Sequence, residues 1–169
     1  AFIIALFTEM YGFPLTIYFM SGWLQKKYPE VDLLSHNSGH LWYTFIGGNG
    51  DPHFNILHII SYFVIGAGFY LLSSAWHVLF FSQKMNKLAI TGPYSKIRHP
   101  QYVAFAMIMF GFLLQWPTIL TLLMFPILLI MYKHLALTEE REVRSIFGKA
   151  YDDYANKTPR FIPSWKVRS

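Results

Sequence analysis

Long apolar runs separated by short polar stretches dominate the pattern of this chain. Apolar residues are concentrated at positions 1–24, 54–81 and 101–137. A helix rises about 1.5 Å per residue, so about 20 apolar residues are enough to cross the hydrocarbon core of a bilayer. The pattern therefore predicts membrane helices, the first of which is interrupted by Glu9 and Pro14.

Trp116 and Pro117 divide the third apolar run. A proline beside an interfacial aromatic residue is typical of a turn, and each half of the run is short for a full span. We therefore expect a packed helical hairpin. Taken together, the runs predict four membrane-embedded helices, at 1–24, 54–81, 101–115 and 118–137.

The segment that begins at Glu139 has a different period. Its apolar residues recur at helical spacing, and its charged residues lie mostly off that stripe. The spacing predicts one amphipathic helix over 139–155, on the membrane surface or capping the domain. The apolar stripe consists of Val143, Ile146, Phe147, Ala150, Tyr151 and Tyr154.

Composition supports a membrane protein and excludes several kinds of chemistry. Hydrophobic residues make up 54% of the chain and charged residues only 14%, whereas soluble domains carry about 25% charged residues. The chain has no cysteine. Disulfides, cysteine-ligated metals and thiol catalysis by the protein are therefore excluded.

The net charge of +5 is explained by two basic blocks beside apolar runs. One is the 82–100 loop and the other is the tail beyond 137, while the 25–53 loop holds only Lys26 and Lys27. Lysine and arginine accumulate on the cytoplasmic side of membrane proteins. We therefore expect both chain ends in the cytoplasm, contact with membrane lipids, and no nucleic-acid partner. The expected fold class is all-α: a single-domain integral membrane helical bundle over residues 1–169, with a C-terminal cytoplasmic amphipathic helix.

Residues that can bind a charged ligand stand at the two ends of the predicted hairpin. Arg98 and His99 precede Pro100, which suits the first position of a helix. Glu139 and Glu140 follow the second arm, so the hairpin should bring the two pairs together. A ligand with both a carboxylate and an ammonium would fit between them. Each pair alone also fits a simpler interpretation. Arg98 and His99 would then be a basic interfacial anchor, and Glu139 and Glu140 the solvated start of a helix.

Several short motifs occur in a fixed order over residues 76–163. They are "GPYSKIRHPQY", an apolar hairpin, "EE", "FGKAYDDY" and a late proline. This order resembles the isoprenylcysteine carboxyl methyltransferase and phospholipid methyltransferase group of integral membrane enzymes. The resemblance implies S-adenosylmethionine as cofactor and a cofactor-binding core at 76–163. Residues 1–60, which we expect to form an N-terminal helix and loop, lie outside the resemblance.

The resemblance also implies roles for individual residues. Glu139 or Glu140 would hold the methionine ammonium, and Leu88 would lie near the adenosine. His99 is in addition a candidate general base, since imidazole exchanges protons near neutral pH; its alternative is a purely structural hydrogen bond. The complete set of expected cofactor-binding residues is Leu88, Tyr94, Arg98, His99, Pro100, Tyr102, Glu139 and Glu140.

Two further features bear on function. Glu9 is ionisable within an apolar run, which is by default a functional hypothesis. We take it as a candidate catalytic residue on the acceptor side, with helix pairing or snorkelling as the alternative. Histidines at 36, 40, 53 and 58 have a spacing that metal sites can use, but no acidic partner is fixed, so no metal site is predicted.

The predicted function is S-adenosylmethionine-dependent methyl transfer to a lipid-borne or small apolar acceptor at the cytoplasmic membrane boundary. The alternative is a non-catalytic or histidine-based metal-handling membrane protein.

Overall fold

The protein is helical in a computed structural model that describes residues 1–29, 32, 40–45 and 52–163. No strand occurs among these residues. His36 lies outside them. The α-helices are α1 (Phe2–Phe7), α2 (Leu15–Lys27), α3 (Leu41–Phe45), α4 (Ile56–Lys84), α5 (Pro100–Gln115), α6 (Ile119–Phe147) and α7 (Lys149–Lys157).

The described helices include two that are long and apolar enough to cross a membrane, α4 and α6. A third span results if α1 and α2 are counted as one bent span, and α5 is a shorter apolar helix. The expected all-α membrane helical bundle is therefore confirmed.

The first apolar run is a broken helix. A π-helical turn at Thr8–Gly12 follows α1, and the two halves of the run are bent by 55°. Phe13 is extended, with φ −106° and ψ 111°. Pro14 accounts for the break, because it lacks an N–H and its ring clashes with the preceding helical turn.

The predicted single helix over 139–155 is wrong, because α6 continues through both glutamates to Phe147. Glutamate and arginine are strong helix formers, so charge after residue 137 does not end the helix. Gly148 does end it, with φ 52° and ψ −126°. Residues with a side chain rarely adopt this backbone conformation, whereas glycine adopts it at little cost.

Two compact units divide the chain. The first comprises Ala1–Ile65 and Ile108–Leu128, and the second comprises Gly66–Met107 and Leu129–Ser169. A core of the first unit is formed by Ile17, Leu24 and Leu41, with Met20, Tyr28 and Phe45 packed against it. The second unit contains the "RHP" and "EE" motifs.

Candidate cofactor site

The loop after α4 belongs to the second unit and turns at Gly92, where φ is 56°. A Cβ atom at this position would lie 3.1 Å from Val78 Cγ2, so the turn favours glycine through both its backbone angle and its close approach. A 3₁₀ turn over Gly92–Ser95 follows and buries Tyr94. The Tyr94 hydroxyl donates to Gln101 Oε1 at 2.8 Å.

Arg98 and His99 are fixed through their backbones by the tail segment, which we define as residues 158–163. Arg98 N donates to Pro159 O at 2.9 Å, and His99 N donates to Arg160 O at 3.1 Å. His99 directly precedes Pro100 and favours an extended conformation. Both N–H groups lie ahead of α5, so they are open to partners outside the helix. The tail segment therefore fixes the backbone positions from which both side chains extend.

Glu140 lies at the centre of a cationic cluster. Arg160 grips the carboxylate with two hydrogen bonds, from Nε to Oε1 and from Nη2 to Oε2, both at 2.8 Å. His99 Nε2 lies 3.0 Å from Oε1, and Arg98 Nη1 lies 3.4 Å from the same oxygen. The Glu140 side chain is only 10% exposed. Two-pronged pairs of this kind are the stronger and more directional form of ion pair.

Glu139 has fewer cationic neighbours than Glu140 and is more open. Its side chain is 41% exposed, and Oε2 lies 3.4 Å from His99 Nδ1. The Tyr102 hydroxyl donates to Oε1. Tyr102 is stacked between the rings of His99 and Tyr132, at centroid distances of 5.7 and 5.2 Å. The Glu139 carboxylate is therefore held in place yet remains accessible.

These side chains surround a cavity of about 440 Å³, within the usual range of small-molecule sites. The lining includes Arg98, His99, Glu139 and Glu140, which we call the charged wall. It also includes the apolar residues Leu79, Leu88, Ala89, Val143, Ile146 and Phe147, which we call the apolar wall. Tyr151 and Tyr154 of α7 also line the cavity.

Two nitrogen atoms of the charged wall are buried without a hydrogen-bond partner among the described residues, Arg98 Nε and His99 Nδ1. Buried polar groups are costly unless they are paired. Both atoms therefore suit a polar ligand.

The tyrosines around the cavity remain neutral hydroxyl groups. Burial raises the pKa of Tyr94 above its ordinary value, with the charge of Glu139 as the second cause. Burial likewise raises the pKa of Tyr154, whose hydroxyl donates to Tyr94 O at 2.6 Å. The phenols therefore serve as hydrogen-bond groups and do not add negative charge.

The cavity wall includes most of the residues predicted from the sequence, namely Leu88, Tyr94, Arg98, His99, Glu139 and Glu140. Two others lie outside it. Pro100 is fully buried at the start of α5, and Tyr102 contacts the site through its hydrogen bond to Glu139 and its stacking on His99.

Sequence reasoning missed Arg160, Tyr151 and Tyr154 as parts of this site. Both tyrosines belong to the apolar stripe and to the "FGKAYDDY" motif, but neither feature was used to predict a role in binding. The position of Arg160 between Pro159 and Pro163 is a weak signal for a fixed, non-helical tail.

Glu9 lies in the first unit and is 4% exposed. Its Oε2 accepts from Thr16 N at 2.9 Å, and its Oε1 accepts from Thr16 Oγ1 at 3.0 Å. Thr16 Oγ1 in turn accepts from Ile119 N at 2.9 Å. The carboxylate thus binds the amino end of α2, where negative charge is favourable.

Three of the four histidines considered above gather in the first unit. The rings of His40, His53 and His58 have centroid distances of 4.8 to 5.3 Å, and His40 Nδ1 lies 3.0 Å from Gln115 O. Within the described ranges, however, no group of three or more His, Cys, Asp or Glu residues is arranged to hold a metal ion.

Comparison with known proteins gives one family match. The profile described as phospholipid methyltransferase matches residues 55–150. It therefore covers α4, the "RHP" motif, the hairpin and both glutamates.

Two curated relatives are metal-resistance proteins. The cobalt-zinc-cadmium resistance protein CzcN of Cupriavidus metallidurans is 30% identical over 102 residues, which are 59% of this chain and 47% of that protein. The nickel-cobalt-cadmium resistance protein NccN of Alcaligenes xylosoxydans xylosoxydans is 31% identical over 103 residues, again 59% and 47%. The chain thus spans about half the length of these relatives. No solved structure matches.

Proposed function

Because this chain belongs to the phospholipid methyltransferase family, we propose that it transfers a methyl group from S-adenosylmethionine to a lipid-borne or small apolar acceptor. The reaction would take place at the cytoplasmic membrane boundary. The observation that carries the proposal is the cavity of the second unit, whose wall contains the accessible Glu139 carboxylate and two buried nitrogen atoms that have no hydrogen-bond partner among the described residues.

The charged wall fits the amino-acid part of this cofactor. Glu139 presents the more exposed of the two carboxylates and would bind the ammonium. Arg98 Nε is a buried donor and would bind the carboxylate. Glu140 is already surrounded by two guanidinium groups and an imidazole, so we assign the ammonium to Glu139.

The apolar wall fits the nucleoside part. Leu88 and Ala89 enter the cavity from the loop, while Val143 and Phe147 enter it from α6. These side chains would offer an apolar surface to the nucleoside. A site that excludes water strengthens the electrostatic interactions within it.

When bound, the cofactor supplies a methyl group on a positively charged sulfur. Transfer breaks the sulfur–carbon bond, forms a bond from that carbon to the acceptor and leaves a neutral thioether. The residues named above would contribute mainly by holding the donor in line with the acceptor and by excluding water. An acceptor that carries a proton must also lose it. His99 Nδ1, the ring nitrogen outside the Glu140 contact, would either be that base or accept a hydrogen bond from the cofactor, and it cannot do both at once.

Methyl transfer is the direct test of this function. Membranes that contain the protein would be incubated with methyl-labelled S-adenosylmethionine and separate lipid, thiol and amine acceptors. We expect label in an apolar product with the wild-type protein and at least a tenfold loss for Glu139→Gln. Equal label in membranes without the protein, or a preference for water-soluble acceptors, would contradict the proposal.

A second candidate function is metal handling, favoured by the gathered histidines of the first unit and by the names of the two relatives. Elemental analysis of the purified protein distinguishes it. Zinc, cobalt, nickel or cadmium bound in proportion to protein, and lost in His40→Ala, would favour metal handling. S-adenosylhomocysteine binding without such metal would favour the methyltransferase.

A further inference from the structure

Arg160 lies in the tail segment beside the candidate site and is not one of the residues proposed to bind the cofactor directly. It does not line the cavity. Its guanidinium forms the two 2.8 Å hydrogen bonds to Glu140, and that contact raises the pKa of Arg160 above its ordinary value. The main-chain bond from His99 N to Arg160 O at 3.1 Å ties the same residue to the neighbouring histidine.

The oxygen that links this cluster to His99 is Glu140 Oε1. It lies 2.8 Å from Arg160 Nε, 3.0 Å from His99 Nε2 and 3.4 Å from Arg98 Nη1. A carboxylate beside two guanidinium groups stays ionised and can only accept hydrogen bonds. His99 must therefore carry a proton on Nε2.

The proton on one nitrogen of a histidine fixes the role of the other. In neutral His99, a proton on Nε2 leaves a lone pair on Nδ1. That atom is buried without a hydrogen-bond partner in the described part of the chain, and it lies 3.4 Å from Glu139 Oε2. Two acceptors so close together favour a ligand donor between them, and an ammonium group can donate to both.

We propose that Arg160 is a positioning residue that acts through Glu140 to hold the His99 proton on Nε2, so that Nδ1 and Glu139 together accept the ligand ammonium. The assignment of the ligand ammonium to Nδ1 and Glu139 rests on the proposed function. The position of the His99 proton is a property of the protein without ligand.

The tail segment is built to hold this arrangement. Arg98 N donates to Pro159 O at 2.9 Å, and the Phe161 ring packs 5.8 Å from the His99 ring. Thr158, which follows α7, is only 6% exposed. The position of Arg160 relative to His99 is therefore set by the backbone and by ring packing as well as by charge.

Nitrogen-15 NMR of the histidine rings tests the proton position without any cofactor. The spectrum is recorded on histidine-labelled protein in detergent, and His99 is assigned by its loss in His99→Gln. In the wild type at neutral pH we expect His99 to show a protonated Nε2 and an unprotonated Nδ1. A proton on Nδ1 alone, a proton on both ring nitrogens, or an equal mixture of the two neutral forms would overturn the proposal whatever the variants do.

Three variants test the role of Arg160 itself. Arg160→Gln should give a mixed His99 spectrum and about tenfold weaker S-adenosylhomocysteine binding, the usual effect of removing one partner from a charged hydrogen bond. Arg160→Lys keeps the charge but not the two-pronged contact, so it should retain the Nε2 proton with an intermediate affinity. Arg141→Gln, an exposed position next to Glu140, should match the wild type in both measurements.

The two proposals can fail separately. A wild-type His99 spectrum in Arg160→Gln protein with unchanged circular dichroism would overturn the positioning role. If Arg160→Gln does not fold, Arg160→Lys with a fully wild-type affinity would overturn it instead. Absence of S-adenosylhomocysteine binding in the wild type, together with the expected His99 spectrum, would overturn the proposed cofactor and leave the Arg160 contact standing.

Discussion

At the scale of single residues, Glu139 and Glu140 are neighbours with different surroundings. Glu140 is 10% exposed and contacts Arg98, His99 and Arg160, whereas Glu139 is 41% exposed. Removing one partner from a buried ion pair costs about 3 kcal/mol or more, but an exposed pair contributes about 1 kcal/mol or less. Glu140→Ala should therefore lower the free energy of unfolding by about 3 kcal/mol and Glu139→Ala by about 1 kcal/mol or less.

Thermal or denaturant unfolding in detergent measures this difference. Glu142→Ala is a matched control, since Glu142 is exposed on the same helix, and it should behave as the wild type. Equal losses of stability in Glu139→Ala and Glu140→Ala would show that the cationic cluster around Glu140 does not form.

Glu9 gives a second prediction at this scale. Its carboxylate binds the backbone and hydroxyl of Thr16 at the start of α2, and loss of such a cap costs about 1 kcal/mol. Glu9→Gln should lower the free energy of unfolding by about 1 kcal/mol. If Glu9 also acts on the acceptor side, turnover per folded molecule should fall while S-adenosylhomocysteine affinity stays the same. Wild-type turnover with lowered stability would leave Glu9 with the helix-capping role alone.

The sequence allowed the charged wall to be foreseen, but not Arg160, which contacts that wall through Glu140. A hairpin places the residues before its first arm near those after its second, and this led to the pairing of Arg98 and His99 with Glu139 and Glu140. Arg160 comes after two helix ends and a proline. Its contact depends on the path of the tail segment, and no local pattern reports that path.

At the scale of the helices, Gly148 decides how α6 and α7 are divided. Its φ of 52° is unfavourable for side chains, and a Cβ atom there would meet nothing within 4 Å. Gly148→Ala should therefore destabilise the protein by about 1–3 kcal/mol through backbone strain and not through a clash. The measurement is the unfolding temperature in detergent.

Gly66→Ala is the matched control for this change. Gly66 lies inside α4, and a Cβ atom there also meets nothing within 4 Å. Alanine favours helix over glycine by about 0.5–1 kcal/mol, so this variant should be neutral or slightly more stable. A stable Gly148→Ala protein would mean that α6 can continue into α7, as the periodicity of the sequence first indicated.

The boundaries of the helices were harder to predict than their existence. The apolar run from 118 predicted a helix, but hydropathy reports where a helix leaves the bilayer and not where its hydrogen bonding stops. Residues 138–147 keep the helix going because several of them are strong helix formers. Pro14 was recognised as an interruption, and the 55° bend follows from the same backbone chemistry.

At the scale of the whole molecule, the proposed topology places both chain ends and the 82–100 loop in the cytoplasm. The cysteine-free chain allows single cysteines to be introduced at Ile90, Ala150 and Phe54, three exposed positions. Ile90→Cys and Ala150→Cys should react with a membrane-impermeant reagent from one side, and Phe54→Cys from the other. Labelling of the first two from opposite sides would contradict the topology.

The central claim is that the cavity of the second unit binds S-adenosylmethionine, and calorimetry with S-adenosylhomocysteine tests it most directly. The titration uses purified protein in detergent, with Glu139→Gln and Glu142→Gln as a matched pair on one helix. We predict saturable binding to the wild type, weakening by about 1–3 kcal/mol in Glu139→Gln, and wild-type affinity in Glu142→Gln. No binding by the folded wild type, or equal affinity in both variants, would contradict the account.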